Sequence, residues 1–382
     1  MRPTWAEVSL TALCHNYRTI QQHVSPSATV CSVVKADAYG HGAVPCARAL
    51  EAEGATWFGV SSAEEGIALR QGGIRGRILL LSGFWRGEED DIILNDLTPA
   101  VWEWWHLDLL EQAAARLGRR AQESVPVHLK VNTGMNRAGL DLECVSDFVI
   151  SLRHAEHVVL EGVFSHLASA EVLGAPDVDA QLTEFEKAIA TVRASGVTPV
   201  YYHIANSAAI STRQQSWKNL VRPGISLYGY YLPFTSVVSG RPDESFELPV
   251  KPVLSWKTRI VSTREVAARE RIGYNGAYVT QAPTKIAMLP VGYGDGLNRH
   301  LSSRGRVIVR DQYAPIVGNV SMDITLIDVS NVAGVSTGDE VTLLGSTGRC
   351  SITAWEHANH AMTIPYEILC NISKRVRRKY VE

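Results

Sequence analysis

Residues 29–42 read TVCSVVKADAYGHG: a short β-branched apolar run, then Lys35, then Tyr39 and His41 set around two glycines. A run of this length and composition is a buried strand, and a strand that ends on polar residues and glycine is the opening half of a βα unit. Seven more runs of the same kind follow. They are TWFGVSS (56–62), RILLLSG (77–83), LTPAVWE (97–103), VHLKVNTG (127–134), LEGVFSHL (160–167), VYYHIANS (200–207) and LVRPGISLYG (220–229). Between several of them a helical period is legible: AEEGIALRQGG and DAQLTEFEKAIATVRASG both end in the glycine that stops a helix. Eight alternating βα units close naturally into a (β/α)8 barrel of the TIM type, so the chain is read as α/β.

From about residue 235 the texture changes. A Pro/Gly/Ser-rich stretch, SVVSGRPDESFELPVKP (236–252), leads into the alternating segments SWKTRIVSTREV, TKIAMLPVG, RVIVRDQYAPIVG and DEVTLLGS. The sequence therefore divides into a barrel over 1–240 and a mainly β domain over 241–382, with residues ahead of the barrel available to add a first strand to the β domain. At 382 residues the chain is long enough for both.

Composition narrows the function. Apolar residues make up 46% and charged residues 20%, with a formal charge of −2, a balance that gives no global field for nucleic acid. The one basic run, residues 374–379, reads as a solvated tail. No stretch has the ~20 apolar residues of a membrane span, and the first residues lack a signal peptide's apolar core, which points to the cytoplasm. The six cysteines, Cys14, Cys31, Cys46, Cys144, Cys350 and Cys370, show no metal-ligand spacing and read as reduced core thiols.

In a barrel of this kind, functional residues gather where the strands end. Lys35 ends the first run, Lys130 and Arg137 follow the fifth, His166 the sixth, Asn206 and Ser207 the seventh, and Arg222, Gly224 and Ile225 the eighth. Each alone has an ordinary reading: a strand-end lysine snorkels, histidines such as His166 and His203 are satisfied at strand ends, and Gly and Ser make turns. Together they suggest more. A lysine amine desolvated below its free pKa of about 10.4 is what a Schiff base with an aldehyde cofactor needs, and loops after the last two strands commonly hold phosphate. In the β domain, RIGYNGAY presents Tyr274 on a glycine-flanked turn, and GNVSMDITLID places Met322 and Asp323 at a strand start.

At VVKADAYGHG the chain resembles the alanine racemases. The likeness continues in order through VNTGMNRAG, HIANSAA, RPGISLYG, IGYNGAY, VGYGDG, SMD and YEILCNISKRVRRKY, across essentially the whole sequence. The resemblance implies a pyridoxal-phosphate enzyme that interconverts L- and D-alanine and supplies D-alanine for peptidoglycan. It implies that Lys35 holds the cofactor, that Tyr39, Ser207, Gly224, Ile225 and Tyr366 bind its phosphate beside Asn206, and that Arg222, backed by His166, meets the pyridine nitrogen. Lys35 and Tyr274 become the two acid/base groups on opposite faces of the substrate, in a homodimer whose sites are shared. Arg137 and the Met322 backbone N–H take the substrate carboxylate, Lys130 matches a lysine that is often carbamylated, and Asp323 supports. No metal is implied.

Some positions depart from the commoner family pattern: Asn132 where Asp is usual, Gly294 within GYGDG, Ile324 after MD, and Glu171 and Asn319 in the access corridor. The alternatives left open are a serine-preferring or broad-specificity racemase, a decarboxylase on the same barrel, and a non-enzymatic pyridoxal-phosphate carrier.

Overall fold

A computed structural model describes residues 2–120 and 123–382. The chain forms two compact units: residues 13–38 with 43–251, and residues 2–12 with 39–42 and 252–382.

The first unit is the barrel. Its eight strands are Thr29–Val33, Trp57–Val60, Arg77–Leu80, Leu97–Val101, Val125–Lys130, Val158–Phe164, Tyr201–His203 and Leu220–Val221, one at each of the eight apolar runs. They are parallel and pair in sequence order, with the eighth beside the first. The ring closes between the seventh and eighth through Arg222 N–H to the Ala205 carbonyl at 3.0 Å and Asn219 N–H to the Tyr202 carbonyl at 3.3 Å. Strands buried on both faces have no polar alternation, which is why each reads as a near-continuous apolar run. Helices follow, among them Ala43–Ala52, Ala63–Gln71, Trp104–Arg116, Val145–His154 and Pro176–Ala194.

The barrel interior is partly polar. His128 points inward from the fifth strand opposite Gly162, where a Cβ would lie 2.6 Å from the imidazole. Glycine at 162 is what lets a ring stand there.

The second unit is β-rich. One sheet runs in the order Gln312–Pro315, Arg306–Val309, Glu340–Thr347, Leu254–Arg259, Thr4–Ser9, Arg377–Val381, with Cys350–Ile352 paired to Glu340–Thr347. A three-stranded sheet is built from Ser262–Val266, Thr284–Leu289 and Thr325–Asp328, and Arg271–Ile272 pairs with Tyr278–Val279 as a short hairpin. Thr4–Ser9 thus sits between an antiparallel neighbour and a parallel one.

Three sequence expectations need correction. The basic run is no solvated tail. Arg377–Val381 is a strand, Arg378 donates to the carbonyls of Ile372, Ser373 and Val376 at 2.5–2.7 Å, and the Lys379 ammonium lies 4.2 Å from the Trp5 ring centroid. Of the cysteines only Cys31 and Cys46 are core thiols, and Cys370 is exposed. Residues 241–251 keep company with the barrel unit instead of the β unit: Thr235–Ser236 pairs with Val172–Leu173, the Phe234 and Phe246 rings meet at 6.2 Å, and Asn16 bonds both the N–H and the carbonyl of Lys251. Pro and Gly there mark a surface loop packed on its own unit. Among the described residues no helix is long and apolar enough to cross a membrane.

Candidate active site

The mouth of the barrel gathers cations. Lys130, the last residue of the fifth strand, is 8% exposed; its ammonium donates to the Leu81 carbonyl at 3.4 Å and lies 5.3 and 5.7 Å from the Trp102 and Phe164 rings. Burial, then the positive charges of Arg137, Arg222 and Lys35, push its pKa down to about 8. Arg222 is buried, and burial lowers even its guanidinium to about 10. Among the described residues it makes no ion pair; it donates to the Ser165 carbonyl at 2.7 Å, to His203 Nδ1 at 2.6 Å and to His166 Nδ1 at 3.3 Å. His166 is held well below the ordinary histidine range by burial and by Arg222, Arg137, Lys130 and Lys35. It is a neutral ring in a cationic field. Beside it a small cavity is lined by Lys130, Thr133, Arg137, Ser165 and His166.

The orientation of the interior polar chain follows from Arg222. A guanidinium has only donors, so His203 Nδ1 accepts and its Nε2–H donates to His128 Nδ1 at 2.8 Å. His128 Nε2–H is then directed at Glu161 Oε2, 3.4 Å away, and Glu161 pairs with Arg77 at 2.6 Å. Burial raises the Glu161 pKa, but His128 and Arg77 outweigh it and the net lies below the usual carboxylate value. Burial likewise keeps both histidines below theirs. The result is a neutral–neutral relay between two charged ends.

After the seventh and eighth strands, Ser207 Oγ accepts from Gly224 N–H at 2.9 Å, Ser226 N–H at 3.4 Å and Ser226 Oγ–H at 3.0 Å. Those contacts occupy its lone pairs and leave its own O–H to donate to an arriving acceptor. Ile225 is buried beside it, and Asn206 caps the following turn through its Oδ1 and Ala209 N–H at 3.1 Å. Asn132, in the loop that carries Arg137, accepts from Gly134 and Asn136 N–H and donates to Asp141 Oδ1 at 3.0 Å. An aspartate in that place would set carboxylate against carboxylate.

The remaining candidates belong to the β unit. Tyr274, 71% exposed, sits in a turn whose neighbours Gly273, Asn275 and Gly276 all have positive φ, a backbone that throws the ring outward; Asn319 Nδ2 donates to its carbonyl at 3.1 Å. Met322 lies in a turn ahead of Thr325–Asp328, not within that strand, and the turn is pinned by Tyr293 N–H to Ser321 and Gly294 N–H to Met322 at 2.9 Å each. Asp323 is held by Arg375 at 2.6 Å, and its carbonyl by Arg2 at 2.6 Å. A Cβ at Gly294 would lie 2.5 Å from Arg375 Nη1 and 3.0 Å from the Met322 carbonyl, so a larger residue there would require the arginine end to shift. The rings of Tyr39 and Tyr366 lie 5.9 Å apart at 52°.

Alanine racemase N-terminal and C-terminal domain families match residues 8–232 and 253–380. The chain belongs to the alanine racemase family. It is 43% identical to the alanine racemase of Geobacter sulfurreducens over 385 aligned residues, covering all of this chain and 97% of that one. Among solved structures it is similar to the alanine racemase of Clostridium difficile 630, with a TM-score of 0.92 and 34% identity over 100% of this chain and 96% of that one. The racemase of Bartonella henselae, described with covalently bound pyridoxal phosphate, superposes with a TM-score of 0.86 at 29% identity over the full length of both. Within this racemase-family barrel, one mouth brings together Lys35, Lys130, Arg137, His166 and Arg222, with Ser207, Gly224 and Ile225 clustered after the last two strands. The sequence reading missed Ser165, Thr133 and the relay through His128, Glu161 and Arg77, because no local signal names a partner on another strand.

Proposed function

We propose that this chain is an alanine racemase that interconverts L- and D-alanine with pyridoxal phosphate. The observation that carries the reading is the barrel mouth: Lys130 and His166 lowered by burial and by the positive charges of Arg137, Arg222 and Lys35, and a buried guanidinium without an ion-pair partner among the described residues. Such a site is electrostatically incomplete until anions arrive, and a cofactor phosphate with a substrate carboxylate supplies them. The residues fit pyridoxal phosphate: a lysine amine, a serine hydroxyl turned donor and a buried arginine are the groups its aldehyde, phosphate and ring nitrogen require. When bound, the cofactor supplies the electron sink that acidifies the α-proton of an amino acid.

Lys35 holds the cofactor and exchanges a proton on one face of the substrate. Ser207, Gly224 and Ile225, next to Asn206, hold the phosphate together with Tyr39 and Tyr366. Arg222, always a donor and backed by neutral His166 and His203, keeps the ring nitrogen unprotonated and so restrains the sink. Arg137 and the Met322 N–H orient the carboxylate. Tyr274 of the partner subunit serves the opposite face, in a homodimer that places each site between two copies. Asp323 fixes the Met322 turn through Arg375 and Arg2. Lys130, lowered to about 8, has free amine at neutral pH to add to CO2, forming a carbamate and releasing a proton, and this supports its carbamylation. The cysteines, none of them in a disulfide, suit a reducing cytoplasm.

The test is proton exchange. The protein is mixed with L-alanine or L-serine in deuterated water, and loss of the α-proton signal is followed by NMR together with optical rotation. Alanine is expected to exchange and racemise faster than serine. Tyr274→Phe is expected to lower racemisation by about 10²–10⁴-fold, the usual worth of a general acid–base group. Bound cofactor with no exchange in either amino acid would end this reading in favour of a carrier, and loss of CO2 would favour a decarboxylase.

A further inference from the structure

The segment after the barrel lysine adopts a backbone that its residues do not favour. Ala36, Asp37 and Ala38 have φ/ψ of 52/49°, 53/47° and 54/50°, and Tyr39 follows at φ 53°; none is glycine. One turn of left-handed helix sets each Cβ against the next carbonyl, and only surrounding contacts keep it in place. Two carboxylates of the barrel unit contribute to them, beside the Ala38 N–H bond to the Val34 carbonyl at 2.8 Å. Asp37 Oδ1 accepts from Ala43 N–H at 2.7 Å. Glu65 accepts twice: Oε1 from Ala36 N–H at 2.6 Å, and Oε2 from Ser61 N–H at 2.7 Å.

The two Glu65 bonds span a specific gap. Ala36 carries the peptide immediately after Lys35, and Ser61 immediately follows the second barrel strand, so one carboxylate ties the lysine's own backbone to the neighbouring strand end. Glu65 is itself oriented: it lies in the first turn of Ala63–Gln71, its N–H donates to Ser62 Oγ at 3.4 Å, and a negative charge suits that end of a helix.

We propose that Glu65 is the positioning residue of Lys35. By holding the Ala36 N–H it fixes the peptide plane that follows Lys35, and with it the direction from which the amine meets an aldehyde. The assignment rests on Lys35 being the cofactor lysine. It predicts a chemical order among variants. Glutamine keeps the shape but turns one acceptor into an NH2 donor facing an amide N–H, and alanine loses both bonds. Ser62→Ala removes the helix cap and a hydrogen bond to Glu64, and leaves the Glu65 carboxylate with both of its acceptor contacts.

The experiment uses cofactor-free full-length protein, wild type and Glu65→Gln, Glu65→Ala, Ser62→Ala and Lys35→Ala variants. Stopped-flow absorbance follows condensation with pyridoxal phosphate, in which the amine nitrogen bonds the aldehyde carbon and water leaves. Hydrogen exchange of the peptide spanning residues 34–40 is measured without cofactor, and affinity for pyridoxamine phosphate, which has no aldehyde, is titrated separately. In Glu65→Gln the condensation rate is expected to fall about tenfold, and further in Glu65→Ala, because small misplacements of a reacting group cost large factors in rate. Exchange near Ala36 quickens in both, pyridoxamine phosphate affinity holds within twofold, and Ser62→Ala behaves as wild type. An unchanged condensation rate in Glu65→Ala overturns the proposal. So does a fall matched by an equal loss of pyridoxamine phosphate affinity. A wild type that condenses through Lys35 yet exchanges no α-proton of alanine ends the racemase reading and leaves the Glu65 assignment standing.

Discussion

Lys130 carries a charge that burial and three neighbouring cations all disfavour. Its folded value of about 8 lies below the ordinary 10.5, so between those values the unfolded chain holds a proton that the folded chain has shed. Stability contributed by this group therefore rises with pH across that window, and below about pH 8 both states are protonated and the full penalty remains. In CO2-free buffer, the melting-temperature difference between wild type and Lys130→Met is expected to move in the wild type's favour from pH 8 to 10. A flat difference would mean that the lysine is not electrostatically strained. Residues differ in how much of this the sequence reveals. The place of Lys35 just after a strand was legible because an apolar run followed by lysine and glycines is a local pattern. The reason for Asn132 was not, because its partner Asp141 is met only across a folded loop.

At the scale of elements, the barrel strands were legible for a simple cause: burial on both faces removes polar alternation, and each strand becomes a visible apolar block. Arg377–Val381 was misread for the converse cause. It is a strand whose side chains are largely exposed or half-buried, held by backbone pairing to Thr4–Ser9 and by arginine bonds to carbonyls, so its composition resembles a tail. The relay across the strands is another property no single strand displays. Glu161→Ala would leave the His128 N–H without its acceptor and Arg77 without its anion. The expected cost is about 1–3 kcal/mol in urea unfolding, with non-additivity in a cycle with Arg77→Ala. Simple additivity would show that the His128–Glu161–Arg77 chain is not one network.

For the whole molecule, the division into units was readable as a change of texture, while its true seam was not. The Pro- and Gly-rich stretch looks like a linker, yet Asn16 and Phe234 hold it to the barrel, so the seam falls after Lys251. The proposed homodimer sets a further expectation at this scale. If Tyr274 of the partner subunit completes each site, specific activity falls on dilution in step with the loss of dimer measured by mass photometry. Constant specific activity in a monomeric sample would remove the shared-site assignment.

The place of Thr4–Ser9 has a consequence for how the chain is made. Its parallel partner is about 370 residues downstream and its antiparallel partner about 250, so on the ribosome the first strand emerges long before either neighbour exists. The barrel, from residue 13 to 251, can assemble during synthesis from contacts between consecutive units, while Thr4–Ser9 waits as an unpaired edge. The β unit's sheet is thus threaded together only after the barrel has emerged, around the earliest-made of its strands. The interval in which that strand stays open is set by elongation speed, not by the barrel's own folding.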